Sequence, residues 1–274
     1  MTIYKSIHVL PAIVDYWAEK TYVTKIASVM TKNRYLTMRN HLHVVENDEN
    51  QKNSVNRFPK IRPLFDIVNE NCKKFSADDG KYSIDETIVP YKGKKGGSDK
   101  RQYNPKKPTK WGYKIISISD INGQIFGMIL YQGKTTLIIF KDTPYALTDI
   151  ENSFGCGPSY VITLLKFLRN SRNIIVYIDN YFTSIKLFIY LLEKRNVYAV
   201  ETCRRDRIEN CDLESDKTSK KIGRGATDFK SFDNQFILVK YLDNKPMHKG
   251  STVYGIDPSS TLLRYSKEEK KKSE

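Results

Sequence analysis

The run Ile174-Ile-Val-Tyr-Ile178 is five consecutive apolar residues closed by Asp179. A strand with no polar face belongs inside a sheet that carries helices, not at a water-facing edge. The neighbouring segments agree. Residues 158–169 have the spacing of an amphipathic helix, and residues 183–194 predict another, with Thr183 or Ser184 as its cap. Residues 197–202 read as the next strand. Upstream, residues 81–91 (KYSIDETIVPY) alternate after the turn Asp78-Asp79-Gly80. Residues 112–119 and 124–131 predict two more strands, joined by the hairpin turn Asp120-Ile-Asn-Gly123. The order β-β-β-α-β-α-β predicts a mixed α/β layer architecture.

The two ends differ from this middle. Over residues 15–30 and 33–43, Tyr16, Val23, Ile26, Val29, Met30, Leu36 and Leu42 recur at helical spacing. Residues 46–56 read as a loop, and Pro59 and Pro63 bracket the entry to a helix over 64–75. Residues 203–228 are polar and basic, with Gly223 and Gly225, and 236–242 and 251–256 predict an antiparallel pair. The last ten residues, YSKEEKKKSE, are expected to fray.

Composition excludes several classes. Hydrophobic residues make up 39% of the 274, and mean hydropathy is −0.53. No apolar run approaches the ~18–20 residues that cross a bilayer, so no membrane partner is expected. The start lacks the pattern of a secretory signal. Cys72, Cys156, Cys203 and Cys211 form no CxxC pair, which points to a reducing, intracellular compartment. Lys+Arg 46 against Asp+Glu 31 gives a net charge of +15 and a pI of about 9.4. A field of that sign attracts polyanions, nucleic acid first; the alternative is an ordinary solvated basic surface.

Two carboxylates stand out. Asp85 lies inside the first strand and Asp179 directly after the apolar one. A carboxylate at a buried strand end needs a partner, hydrogen bonds or a metal. Side by side, the two strands would aim both at one spot. Mg²⁺ takes few protein carboxylates and shares its shell with water and phosphate oxygens, and two metals roughly 4 Å apart would clamp a phosphodiester. The alternative is that both are turn formers or caps. Between residues 86 and 114 lie Lys92, Lys94, Lys95, Lys100, Arg101, Lys106, Lys107, Lys110 and Lys114 against Glu86 and Asp99, a net of +7. Tyr91, Tyr103, Trp111 and Tyr113 are interleaved. Such a loop can meet phosphates with cations and bases with rings; a solvated loop is the alternative. Gly127 to Lys134 imitates a P-loop, but has five residues between its glycines where the motif needs four, and they read as a strand. His41 and His43 have no third ligand near them in the sequence, so packing or surface roles are expected.

The residues resemble a family. Asp15-Tyr16-Trp17, Met30-Thr-Lys-Asn-Arg34-Tyr35, His41-Leu42-His43, Lys60-Ile-Arg-Pro63, Ser83-Ile-Asp85-Glu86, Gln102-Tyr103-Asn-Pro105-Lys-Lys107-Pro108, Lys110-Trp111-Gly112-Tyr-Lys114, Tyr131-Gln-Gly133-Lys134, Asp179-Asn180-Tyr181-Phe182-Thr183-Ser184 and Thr202-Cys-Arg204 run in the order of a piggyBac-type DDE transposase or a protein derived from one. The resemblance implies an RNase H-like mixed-sheet core over 79–202, with Asp85 and Asp179 as catalytic, Mg²⁺-holding residues. It implies a helical dimerisation and DNA-binding region over 1–78, a β-rich insertion over 203–265 and a charged tail over 266–274. DNA would bind through the ten residues Lys92, Lys94, Lys95, Lys100, Arg101, Lys106, Lys107, Lys110, Trp111 and Lys114. The implied chemistry is metal-dependent cleavage and transfer of transposon ends at TTAA targets, in the nucleus, by a homodimer.

The sequence departs from the family in places. The Gly-Gly-Val-Asp-x-x-Asp word that completes the acidic set does not occur before Glu274, nor does the family's cysteine-rich zinc module. Glu201 stands where the family usually has Gly, and Asp243 aligns with the insertion strands. The chain is therefore expected to be truncated at both ends and to bind DNA without turnover. The alternative is a dead, domesticated or decayed DNA-binding remnant.

Overall fold

The computed structural model describes residues 2–46, 55–75, 80–91, 100–105, 107–205, 208, 211–233, 235–257, 264–266 and 271–273. The chain divides into two compact units, Met1–Lys52 with Phe58–Leu64, and Asn53–Arg57 with Phe65–Glu274.

The first unit is made of short helical pieces: α1 (Thr2–Ile7), one-turn 3-10 segments at Ile13–Trp17 and Glu19–Thr21, α2 (Thr24–Ala27) and α3 (Lys32–His41). The helix expected through residues 15–30 is broken. Ala18 is extended, and side chains take carbonyls outside a helical ladder: Thr21 Oγ1 donates to Asp15 O at 2.6 Å, Trp17 Nε1 to Met30 O at 2.8 Å and Tyr16 OH to His8 O. Local bonds of this kind compete with helix propagation. Tyr16, Ile26 and Phe58 are its buried hydrophobic residues. A fourth helix, α4 (Arg62–Cys72), starts here, and from Phe65 onward belongs to the second unit.

The second unit is built on one mixed sheet. Its first part is β1 (Lys81–Pro90), β2 (Gln102–Tyr103), β3 (Trp111–Ser119) and β4 (Ile125–Leu130), followed by α5 (Asp149–Ser153) and α6 (Cys156–Phe167). Then come β5 (Ile174–Ile178), α7 (Ile185–Arg195) and β6 (Val197–Cys203). The spatial order is β2-β3-β1-β5-β6, with β4 also on β3; β1, β5 and β6 are parallel and the β1–β3 and β3–β4 pairs antiparallel. Ser184 caps α7 by accepting from Leu187 N at 3.2 Å. Val161, Leu164 and Leu165 of α6 and Leu187, Phe188 and Leu191 of α7 join Ile84, Ile118, Val176 and Ala199 of the sheet in one core. Asn69 of α4 exchanges two hydrogen bonds with the Met128 backbone of β4, 3.0 and 2.9 Å, satisfying a peptide group at a sheet edge.

Two expectations change. β5 is buried through Ile174, Val176 and Ile178, whereas Ile175 and Tyr177 on its other face are half-buried, so its apolar sequence does not mean cover on both sides. The polar stretch after residue 203 contains α8 (Asp216–Ile222) and β7 (Thr227–Phe232), and leads to β8 (Phe236–Leu242) and β9 (Pro246–Ser251) in place of a strand over 251–256. β9 pairs antiparallel with β6, so β9-β8-β7 prolongs the core sheet. β10 (Arg264–Ser266) and β11 (Lys271–Ser273) form a separate antiparallel pair. Among the described residues no helix is long and apolar enough to cross a membrane.

Candidate active site

The parallel register of β1 and β5 ends on the pair Ile84↔Ile178. Asp85 is the next residue on β1, and Asp179 is the residue that follows β5. Paired neighbours in a sheet lie about 4.8 Å apart. Ile84 and Ile178 are buried among the helices, and alternation turns the side chain of Asp85 to the opposite, exposed face, the one Ser83 and Tyr177 share. Asp179 is exposed too. One oxygen of each carboxylate is held: Asp85 Oδ1 accepts from Glu86 N at 2.7 Å, and Asp179 Oδ1 from Thr202 Oγ1 at 3.2 Å. The second oxygens are engaged by nothing among the described residues.

The turn carrying Asp179 is anchored from below. Phe182 N donates to Asp179 O at 3.0 Å, and Phe182 and Thr183 are buried. Thr183 Oγ1 lies 2.6 Å from Glu201 Oε2 and 3.2 Å from Asp179 O. Glu201, on β6 and 3% exposed, thus spends its charge on fixing the turn from the helix-covered side. Gly157 at the start of α6 packs on the same turn; a Cβ there would meet Tyr181 O at 2.5 Å. Sequence reasoning noticed Glu201 only as a departure. Its role depends on a hydroxyl 18 residues away, and no local pattern signals it.

Glu86 organises the basic segment. Lys114 Nζ lies 2.6 Å from Glu86 Oε2, Asn104 Nδ2 3.3 Å from Oε1, and Lys107 Nζ 3.4 Å from the Glu86 carbonyl. Lys114 also stands 4.7 Å over the Tyr181 ring, beside the Asp179 turn. Lys107 and Lys114 are therefore half-buried and partnered, a different state from freely solvated phosphate contacts. Lys110 and Trp111 are exposed, and Arg101 stacks on Trp111, its guanidinium carbon 4.9 Å from the ring centroid. Tyr103 of β2 faces Trp111 of β3 at 4.7 Å, so the paired ends of the two strands present two rings that are 53% and 47% exposed. Lys100 precedes this pair. Lys92, Lys94, Lys95 and Lys106 lie outside the described residues.

The remaining candidates have structural explanations. Gly127 sits in β4 where a Cβ would lie 2.8 Å from Phe167, and Gly133 makes a turn at φ +81°. Neither cradles an anion. Asp243 accepts from Arg224 at 2.8 Å in the β8–β9 turn. His41 and His43 each hydrogen bond a backbone carbonyl through Nδ1 at 2.8 Å. Among the described residues no group of three or more His, Cys, Asp or Glu gathers as a metal site.

Comparison with known proteins finds relatives over most of the chain. Human PiggyBac transposable element-derived protein 3 is 31% identical over 261 residues, 94% of this chain and 41% of that protein. Human PiggyBac transposable element-derived protein 2 is 30% identical over 245 residues, 88% of this chain and 38% of that protein. The chain thus spans less than half the length of these relatives. A cryo-EM structure of a piggyBac transposase synaptic complex with hairpin DNA matches with a TM-score of 0.65 at 23% identity, covering 93% of this chain and 49% of that one. A family model described as Transposase IS4 matches residues 1–273, and with these relatives it shows that the chain belongs to the piggyBac-type transposase family.

Proposed function

We propose that this chain is the DNA-engaging core of a piggyBac-type transposase, RNase H-like in arrangement, in which Asp85 and Asp179 hold Mg²⁺ beside a strand of DNA. The observation that carries the reading is the register: two exposed carboxylates follow the last paired residues of adjacent parallel strands. Their donor chemistry suits the ion. Mg²⁺ keeps several waters and is commonly held by one or two carboxylates plus phosphate oxygens, and each aspartate has an oxygen to offer. When bound, the metal would supply charge stabilisation at a phosphate. The protein's own part is positioning. Thr202 orients Asp179, Thr183 and Glu201 brace its turn, and Arg101, Trp111 and Tyr103 offer a cation and two rings to a backbone and its bases. The structural neighbour in complex with hairpin DNA supports a DNA partner. Transposon ends, TTAA targets, a homodimer and a nuclear location belong to the same proposal through the family.

For the 274-residue chain by itself we expect DNA binding without turnover. In-line displacement at a phosphodiester asks for two metals, and two carboxylates supply −2 against their +4. Titration of Mn²⁺ followed by water-proton relaxation tests the site. The expected result is weak binding that Asp85→Asn and Asp179→Asn each abolish. Binding untouched by both substitutions would refute it. Cleavage of transposon-end DNA by the chain would refute the expectation of no turnover.

A further inference from the structure

The word Asp15-Tyr16-Trp17 and the Tyr35 of Arg34-Tyr35 take no part in the site above. In the first unit their rings surround an ammonium. Lys5 Nζ stands 3.8 Å from the Tyr35 ring centroid, 4.6 Å from Tyr16 and 4.7 Å from Trp17. Trp17 and Tyr35 are 5.4 Å apart at 39°, and Tyr16 meets Trp17 at 72°. The three faces therefore look inward on one point. The polar edges of two of them are engaged by backbone groups. Trp17 Nε1 donates to Met30 O, and Tyr16 OH donates to His8 O and accepts from Leu10 N. The Trp17 edge is thus fixed independently of Lys5, whereas Tyr16 OH is held by the backbone of the segment that carries it, Lys5 O at 3.4 Å included.

The ammonium inside fits these faces poorly. Lys5 Nζ is buried and finds no hydrogen-bond acceptor among the described residues. A primary ammonium carries three donors, and leaving them unmet in a dry site is unfavourable. A methylated ammonium keeps the charge that the ring faces attract and loses the donors. Aromatic cages recognise quaternary ammonium and methyl-lysine ligands for this reason. Lys5 is carried by α1, whose six residues are fewer than a helix needs to be stable by itself.

We propose that Tyr16, Trp17 and Tyr35 form a binding site for a methylated lysine side chain presented by a separate peptide, and that Lys5 is its displaceable plug. A tethered plug acts as a competitor at an effective concentration of about millimolar. The free ligand must outcompete it, and removal of Lys5 must tighten binding.

The test uses the full chain in a Trp111→Phe background, which leaves Trp17 as its one indole. N-acetyl-trimethyllysine methylamide, its unmethylated counterpart and the neutral isostere with carbon in place of the ammonium nitrogen are titrated against Trp17 fluorescence. With Lys5→Ala, the trimethylated probe is expected to quench saturably and at least about tenfold more tightly than either control. With Lys5 present it should bind several-fold more weakly, and Tyr35→Leu should abolish the response. Equal affinity for the neutral isostere, a response that survives Tyr35→Leu, or no saturable quenching overturns the proposal. If Lys5→Ala does not fold, the same titration of the chain with Lys5 at higher probe concentration decides between these outcomes.

Discussion

Replacing Glu151 by Gln removes one charge from between α5, α6 and α7 while keeping the side chain's size. The carboxylate is 1% exposed. It lies 2.7 Å from Lys166 Nζ, 2.5 Å from Arg195 Nη2 and 2.8 Å from Tyr190 OH. It also accepts from Thr148 N at 2.8 Å, closing a capping box at the start of α5. Burial pushes its pKa up, but hydrogen bonds from Lys166, Thr148, Arg195 and Tyr190 outweigh burial and bring it from the ordinary 4.5 to about 2. A lowering of that size corresponds to about 3 kcal/mol. Breaking a buried pair by removing one partner costs about 3–5 kcal/mol. Lys166 and Arg195 keep 13% and 21% exposure, and their hydration brings the cost to the low end of that range or just below it, about 2–3 kcal/mol. Because the folded value is depressed, the contribution is complete above about pH 4.5 and is lost as pH falls towards about 2. Urea unfolding followed by circular dichroism at pH 7, 5, 4 and 3 measures it. Glu151→Gln should be about 2–3 kcal/mol less stable at pH 7, with the gap narrowing below pH 4.5. A gap under about 0.5 kcal/mol at pH 7, or one unchanged at pH 3, would refute the charge-based account.

Three further outcomes are expected. Gly157→Ala pushes a Cβ against Tyr181 O at 2.5 Å; it should cost about 1–3 kcal/mol in urea unfolding and weaken Mn²⁺ binding through the Asp179 turn. Trp111→Ala should weaken single-stranded DNA binding by about 1–3 kcal/mol with little change in salt slope, whereas Arg101→Ala should reduce that slope by about 0.7; filter binding from low to high salt separates the two. His248 lies opposite Lys240 in the β8–β9 register, and burial first, then Lys240, hold its pKa below 6.5. Stability should therefore fall as pH drops from 6.5 through the lower folded value, and His248→Asn should flatten that part of a melting-temperature profile.

The amino-acid sequence determined the elements whose signal is local. The apolar run set β5 at Ile174–Ile178, the largely apolar segment 236–242 set β8 at Phe236–Leu242, and the hydroxyls Thr183 and Ser184 before an apolar periodic segment marked the helix start, of which the structure makes Ser184 the cap. The position of Asp85 and Asp179, each directly after a buried strand residue, was also legible, because a charge beside an apolar residue marks where burial ends. The break of residues 15–30 was not. Its apolar spacing suits a helix, and only long-range bonds such as Trp17 Nε1 to Met30 O, 13 residues away, overrule it. Polar α8 and β7 have no hydrophobic period to read. Tertiary structure alone decided that β9 pairs with β6 and carries the sheet past the core, that Glu86 takes up Lys114, and that Glu201 braces the Asp179 turn through Thr183. Register, ion pairing and burial of a charge depend on which distant segments come together. The free energy of those contacts resides in pairs of groups, and a linear pattern records only one member of each.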